Sequence, residues 1–427
     1  MKKALIIAYY WPPAGGPGVQ RWLKFVKYLR DYNVEPIVYV PENPSYPIVD
    51  DSLVSEIPND ITILKHPIKE PYKLAQLFSK KHASTISKGI ISEKKKQSIV
   101  ERFLLYIRGN FFIPDARKNW IKPSVHFLEN YIAENAIDTI ITTGPPHSLH
   151  LIGLELKSKL GVKWLADFRD PWTTIGYHKR LKLSAKAHQK HKDLESQVLN
   201  TADEIIVTSF VTKEEFKTIT SKPISVITNG YDYEKVEAIS LDTHFTLSHI
   251  GSLLSGRNPK VLWEVIRDLI KENTSFKNDF KLQLVGAVSN DVIASIEEHQ
   301  LKDYVSLVGY VSHTEAIVYQ RQSQVLLQIE IDSEDTKCII PGKLFEYMKS
   351  HRPIIAIGPQ GSDVAHIIKT TNTGVYFYYT DYDALKRTIL DYYKAFKSNS
   401  LQSHPIGLQQ YSRKALTKKL ANLILQS

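Results

Sequence analysis

The first stretch of chain constrains the fold most. Ala4 to Tyr10 is an unbroken apolar run that ends in the loop Trp11-Pro-Pro-Ala-Gly-Gly-Pro-Gly18. Val19, Trp22, Leu23, Val26 and Leu29 then follow at helical spacing, and a second apolar run spans Pro36 to Val40. A strand without polar alternation has to be covered on both faces, which is the condition of a parallel strand in an α/β sheet. Strand, turn, helix and strand in that order form the repeating unit of such a sheet. Met1-Lys2-Lys3 before Ala4 to Trp11 imitates a signal peptide, but Pro12-Pro13 offers a sharp turn in place of a small-residue cleavage site. The segment reads as a buried first strand.

The unit recurs. Thr139 to Thr142 ends in Thr143-Gly-Pro-Pro146, Val162 to Ala166 ends in an acidic loop, and Glu204 to Thr208 ends at Ser209. After the turn signal Asn229-Gly230 a second series begins, with strands around Thr246–Ile250, Lys281–Val285, Val305–Val308, Val325–Ile329 and Pro353–Ile357, several of which end in Gly251, Gly286, Gly309 or Gly358. A chain of 427 residues exceeds one ordinary core. Two consecutive doubly wound, Rossmann-like domains are therefore expected: residues 1–230, then 231–400, with a terminal segment 401–427. Its apolar positions, Ala415, Leu416, Leu420, Leu423 and Ile424, read as a helix. Ligands of such sheets bind at the carboxyl ends of the strands, and two domains add a cleft between them, where the active site is expected.

Charge narrows the partners. The chain carries 55 Lys and Arg against 45 Asp and Glu, a balance of +10. Residues 69–122, which interrupt the α/β pattern, hold thirteen Lys or Arg and four acidic residues, among apolar clusters such as Phe103-Leu-Leu105 and Phe111-Phe-Ile113. A second acid-free basic stretch runs from Tyr177 to Lys192. No recognised nucleic-acid module is visible, so an anionic membrane surface is expected over nucleic acid. No apolar run approaches the ~18–20 residues of a membrane span. A single cysteine, Cys338, excludes an intramolecular disulfide and fits a reducing cytoplasm. The localisation expected is cytoplasmic, peripheral at the inner face of the membrane.

Three constellations carry chemistry. In the first loop, Gly15 and Gly16 let the backbone approach a ligand before a helix whose N–H groups favour an anion. Gly15-Gly16-Pro17-Gly18 departs from the dinucleotide fingerprint, although Glu42 stands near the end of the second strand. In the second, Gly251-Ser-Leu-Leu-Ser-Gly-Arg257-Asn-Pro-Lys260 puts two cations between a strand end and a helix, where a diphosphate is the natural guest. The alternative is a capped surface helix with a solvated Arg. In the third, Pro341-Gly342-Lys343-Leu344-Phe-Glu346, a cation in the first turn of a helix implies a bound anion, and Glu346 one turn on can accept from two vicinal hydroxyls. An ordinary surface Lys/Glu pair is the alternative there.

Taken together, the Gly-Gly first loop, Asn229-Gly-Tyr-Asp232, Gly251 to Arg257 and Lys343-Leu-Phe-Glu346-Tyr resemble the retaining nucleotide-sugar glycosyltransferases of family 4, over nearly the whole chain. The resemblance implies the GT-B fold, with the terminal helix crossing back to the first domain. It is closest to the bacterial cell-surface polysaccharide branch, whose members often carry loops like Asp167-Phe-Arg-Asp170-Pro-Trp172, Thr143-Gly-Pro-Pro146 and Ile113-Pro-Asp115-Ala. It implies that Arg257 and Lys343 neutralise the donor pyrophosphate, with Lys260 as a further cation, and that Glu346 binds the ribose as the second acid of a Glu-x7-Glu motif. The first acid of that motif falls on Cys338, a departure for which Asp332, Glu334 or Asp335 are the substitutes in the same loop. Gly309, Tyr310 and Val311 match the segment that holds the base, and Gly251, Gly342, Leu344, Gly15 and Gly16 complete the donor side. Asp167, Arg169, Asp170 and His147 are expected on the acceptor side. The implied reaction is transfer of a hexose from a nucleoside diphosphate sugar, as co-substrate, to a glycan or polyprenyl-linked acceptor, with no cofactor and no metal, since no D-x-D motif stands at a strand end. Another GT-B enzyme, such as a sugar nucleotide epimerase, and a basic nucleic-acid-binding protein are the competing readings.

Overall fold

The structure, a computed structural model, describes residues 1–70, 99–232 and 239–426. Most of the basic segment expected at 69–122, including Lys94-Lys95-Lys96, lies outside the described residues. The chain divides into two compact units, Met1–Asn229 with Arg413–Ser427, and Gly230–Ser412.

Among the described residues, the first unit holds seven parallel strands: β1 (Lys2–Ile7), β2 (Val34–Pro41), β3 (Thr62–His66), β4 (Thr139–Gly144), β5 (Lys163–Phe168), β6 (Glu204–Val207) and β7 (Ile224–Val226). Their order is β3-β2-β1-β4-β5-β6-β7, so the winding reverses between β1 and β4. The apolar run at the start of the chain is explained by its two faces. Leu5, Ile7 and Tyr9 enter one core, and Ala4, Ile6 and Ala8 enter the other, because successive side chains of a strand point to opposite sides. The helix Ile121–Glu134 covers the first face with Val125, Leu128 and Ile132. Helix Pro17–Leu29 covers the second with Val19, Trp22, Leu23 and Val26.

The terminal helix, Arg413–Leu425, belongs to this first unit. Leu416, Leu420, Ala421 and Ile424 join the core beside helix Pro17–Leu29. Its end is tied down by the Lys163 ammonium, which donates to the carbonyls of Leu423, at 2.7 Å, and Gln426. At about 1.5–3 kcal/mol for each fully buried large aliphatic side chain, this packing offsets the ordering of a chain terminus. Residues 401–412, grouped with the helix on sequence, instead belong to the second unit: Ile406 N donates to Thr371 O at 2.8 Å, and Tyr411 packs on Phe345.

The second unit carries six parallel strands among its described residues: β8 (Phe245–Ile250), β9 (Phe280–Val285), β10 (Val305–Gly309), β11 (Val325–Ile329), β12 (Ile354–Ile357) and β13 (Gly374–Phe377), in the order β10-β9-β8-β11-β12-β13. Its winding reverses between β8 and β11. Strands β3, β7 and β13 were not expected from the sequence. They are short edge or near-edge strands, and their half-exposed residues dilute the apolar signal. No helix among the described residues is long and apolar enough to cross a membrane.

Candidate functional site

In each unit, loops rich in chemistry leave the carboxyl ends of the strands flanking the reversal, the position at which open α/β sheets take ligands.

In the second unit, β8 is followed by Gly251, whose φ of +116° is closed to ordinary side chains and whose absent side chain leaves room for Lys343: a Cβ there would stand 3.4 Å from the Lys343 ammonium. Lys343 is the second residue of helix Gly342–Lys349. Its Nζ donates to Nε2 of His249 and to the Ile250 carbonyl, each at 3.1 Å. Nδ1 of His249 in turn lies 3.0 Å from the Leu327 carbonyl, so that nitrogen carries the proton and Nε2 is left as the acceptor. Burial holds His249 well below the ordinary imidazole range and pushes the Lys343 amine down to about 7, helped by the Arg257 guanidinium. Arg257 ends a single 3₁₀ turn, Ser255–Arg257, and its positive charge also reaches Glu330.

Glu346, one turn after Lys343, is held from two sides: Nε2 of His313 at 3.0 Å and Nε2 of Gln320 at 2.9 Å. The carboxylate is thus presented as an acceptor with part of its surface in solvent. Gly309, at φ +79°, ends β10, and Tyr310 after it is 94% exposed. Gly342 opens the Lys343 helix, and Lys260 is the exposed first residue of helix Lys260–Glu272. Leu344 stands next to Lys343 in the same helix. Its side chain is fully buried, and its N–H donates to Pro341 O at 3.0 Å within the first helical turn, so it is a core residue.

Three residues here were missed on sequence. His249 hides inside an apolar strand and His313 follows the Gly309 loop. Glu330 stands directly after β11, where the strand-end rule points. Its carboxyl accepts from Ser362 Oγ at 2.9 Å and Tyr376 OH at 2.8 Å, and burial pushes it up to about 7. Of the substitutes for the missing acid, Glu334 is spent on Lys337 at 2.6 Å and Asp332 is exposed.

In the first unit, Gly15 donates to Ile48 O at 3.0 Å, and Gly16, at φ +104°, precedes helix Pro17–Leu29, where its carbonyl accepts from Val19 N at 3.2 Å. Arg169 packs over Gly18, where a Cβ would overlap its guanidinium, and donates to the carbonyls of Gly144 at 3.3 Å and Pro145. Asp170 is half-buried, and desolvation raises its carboxyl. Asp167 departs from the expectation. It lies within β5 and is fully buried, taking Arg21 Nη2 at 2.8 Å, Trp22 Nε1 at 3.0 Å and Thr143 Oγ1 at 2.8 Å. Both oxygens are committed, because a buried carboxylate is tolerable only when paired and hydrogen-bonded. Asp167 organises the core behind the loop and is withheld from ligand. His147 directly precedes helix Ser148–Leu160 without a side-chain capping bond, is buried, and stacks on Trp172 with ring centroids 4.6 Å apart. Among the described residues no cluster of His, Cys, Asp and Glu has the geometry of a metal site.

The model of the group 1 glycosyl transferases matches residues 244–395, and that of Glycosyltransferase Family 4 matches residues 90–235. No curated protein matches the chain in sequence. Solved structures similar over nearly the full length include the lipopolysaccharide outer core galactosyltransferase WaaB (15% identity, TM-score 0.59, 99% of each chain). HepE of Anabaena in complex with UDP and glucose is similar at 13% identity and TM-score 0.55, over 99% of each chain. A variant of S. aureus TarM in complex with fondaparinux, α-GlcNAc-glycerol and UDP is similar at 13% identity and TM-score 0.55, over 100% of each chain. With both units matched by glycosyltransferase models and the whole chain by GT-B structures, the protein belongs to the family 4, group 1 glycosyltransferases.

Proposed function

We propose that the protein transfers a hexose from a nucleoside diphosphate sugar to a cell-surface glycan or polyprenyl-linked acceptor, with retention of anomeric configuration and without a metal. The observation that carries this reading is the Lys343 ammonium held beside Gly251 by His249, with the Arg257 charge near it and Glu346 one helical turn away. Cleavage of the sugar–phosphate bond leaves negative charge on the β-phosphate. Arg257 and protonated Lys343 are fixed cations for that charge, and the free N–H groups at the start of helix Gly342–Lys349 add a partial positive charge. Glu346 has the chemistry to accept from vicinal ribose hydroxyls, in exchange for His313 or Gln320. UDP bound in HepE and TarM, and the glycan-like ligands of TarM, support the donor and acceptor classes. Retention rests on the family.

Attachment to an anionic membrane is the proposed setting. On helix Ile99–Phe111, Phe103 and Phe111 are each 62% exposed, next to the basic residues Arg102 and Lys118. Sedimentation with liposomes should then depend on anionic lipid.

A panel of nucleoside diphosphate sugars, scanned by thermal shift, tests the donor. A ligand that binds only the folded state raises the melting temperature by mass action. One or more sugars of the panel should stabilise the protein, and the product formed with acceptor should keep the donor's anomeric configuration by NMR. Conversion of donor without acceptor would favour an epimerase, and salt-sensitive oligonucleotide binding with no sugar nucleotide effect would favour a nucleic-acid role.

A further inference from the structure

Glu330 is a buried acid that the donor chemistry leaves unused. It follows β11 directly, 5% exposed, at the carboxyl end of a strand that flanks the reversal of the second sheet. Its backbone is fastened twice: the N–H donates to Ile357 O at 2.9 Å, and the carbonyl accepts from Tyr379 OH at 2.7 Å. The carboxyl reaches the loop that leaves β12 and the end strand β13. Ser362 Oγ lies 2.9 Å from Oε1 and 3.0 Å from Oε2, and Tyr376 OH lies 2.8 Å from Oε2. Ser362 in turn caps helix Asp363–Thr371 by accepting from Val364 N at 3.1 Å. The glycine after β12 permits this approach, since a Cβ at Gly358 would stand 2.6 Å from Oε2.

A count of hydrogens gives the state of the carboxyl. Tyr376 OH also lies 2.9 Å from the Pro359 carbonyl, so a single phenolic hydrogen would face two acceptors if Glu330 were ionised. With the acid protonated every group is served: Oε2–H donates to the phenol oxygen, the phenol donates to Pro359 O, and Ser362 donates to Oε1. Among the described residues no bond to this carboxyl comes from a cation, and a buried carboxylate without one is costly. Burial accordingly pushes the group up to about 7. The groups that face it lie on three elements and their flanks. Buried Asp363 disfavours its ionisation, and Arg257, in the turn after β8, favours it. Tyr376 and Tyr379 are phenols that burial keeps neutral, and Asp332, two residues on, is exposed and acts on Tyr379. Arg257 has no carboxylate partner among the described residues.

We propose that Glu330 is a positioning residue of the donor site: held as a neutral acid, it fixes the turn Gly358–Ser362 against β11 and β13 and leaves the Arg257 charge uncompensated for an anionic donor. Ionised, it draws that charge to itself and adds a negative charge that repels the diphosphate. This role rests on the nucleoside diphosphate reading of Arg257. The neutral acid and its hydrogen bonds do not.

Titration calorimetry on the full chain, with UDP, GDP, ADP and dTDP as probes, tests it. Glu330→Gln keeps the shape and hydrogen bonds of the neutral acid and cannot ionise. The affinity of that variant divided by that of the parent should rise by about three- to tenfold between about pH 6 and pH 8, because only the parent must reprotonate residue 330 to bind. The titration of Lys343 is common to both proteins and cancels in the ratio. In an Arg257→Ala background the ratio should stay flat. Should Glu330→Gln not fold, the parent alone decides: nucleotide added at the higher pH should bring up the infrared carbonyl band of a protonated carboxyl, which proton uptake by Lys343 does not produce. A ratio constant with pH, the same rise in the absence of Arg257, or no carboxyl band overturns the role of Glu330 and leaves the transferase reading standing. Failure of every nucleoside diphosphate to bind at any pH overturns both.

Discussion

The ammonium of Lys343 stands 3.1 Å from Nε2 of His249, a ring whose other nitrogen faces the Leu327 carbonyl at 3.0 Å. This neutral imidazole accepts a bond from the lysine without supplying the negative charge that would neutralise it. The site therefore keeps a cation that is poorly solvated and only partly protonated at neutral pH, with its amine near 7.

That arrangement predicts proton uptake on donor binding. An anionic diphosphate beside Lys343 raises its pKa, so above about pH 7 the complex binds a proton that the free protein lacks. UDP affinity should fall as pH rises beyond about 7, by up to about tenfold per pH unit. Calorimetry in buffers of different ionisation enthalpy should give buffer-dependent heats above that pH and little dependence below it. Buffer-independent heats throughout would falsify the role of Lys343.

Arg257→Ala and Glu346→Ala should each weaken binding of the donor nucleotide by about 1.5–3 kcal/mol, roughly ten- to a hundredfold, the worth of hydrogen bonds to a charged group. Unchanged affinities in titration calorimetry would remove these residues from the donor site.

The buried pair of Arg21 and Asp167, at 2.8 Å with both side chains almost fully enclosed, should be intolerant of half-removal. Arg21→Ala or Asp167→Ala alone should destabilise the first unit by about 3–5 kcal/mol, because each leaves an uncompensated buried charge. The double variant should lose less than the sum of the two. Strict additivity in urea denaturation would mean that the pair is not coupled.

Glu330 makes a pH prediction of its own. Its folded pKa, about 7, lies above the ordinary 4.5, so the folded state holds more protons between those values. Stability from this group is fully present below about pH 4.5 and is lost as pH rises through 7, on the order of 3 kcal/mol in all. Glu330→Gln should flatten that part of the profile and melt higher than the parent at about pH 8. A variant that melts lower there, with the slope retained, would overturn the assignment.

Catalysis should survive EDTA, since the proposed charge stabilisation comes from Arg257 and Lys343. A turnover that stops in chelator and returns with Mn²⁺ or Mg²⁺ would contradict it.

Much of the fold was legible because its signals are local. Strand β1 announces itself by seven consecutive apolar residues, and the helices Pro17–Leu29 and Lys260–Glu272 by their spacing. Strand β5 shows where locality ends. The apolar run was read as stopping at Ala166, yet the strand continues through Asp167, because the carboxylate meets Arg21, 146 residues away, and can be buried. No pattern within the segment contains that partner.

The candidate site divides in the same way. Arg257, Lys343 and Glu346 stand out on sequence because they are charged residues in or beside the first turns of helices that follow strands, a feature of order and spacing. His249 and Glu330 do not stand out in this way, since their state depends on what encloses them. The sequence by itself determined the alternation of strands and helices, the parallel sheets and the loops that carry the chemistry, because apolar periodicity and turn residues act over a few positions. The tertiary structure alone decided which charges are spent internally and which amines and acids have shifted, because burial and electrostatic partnership are set by residues that sheet order brings together from across the chain.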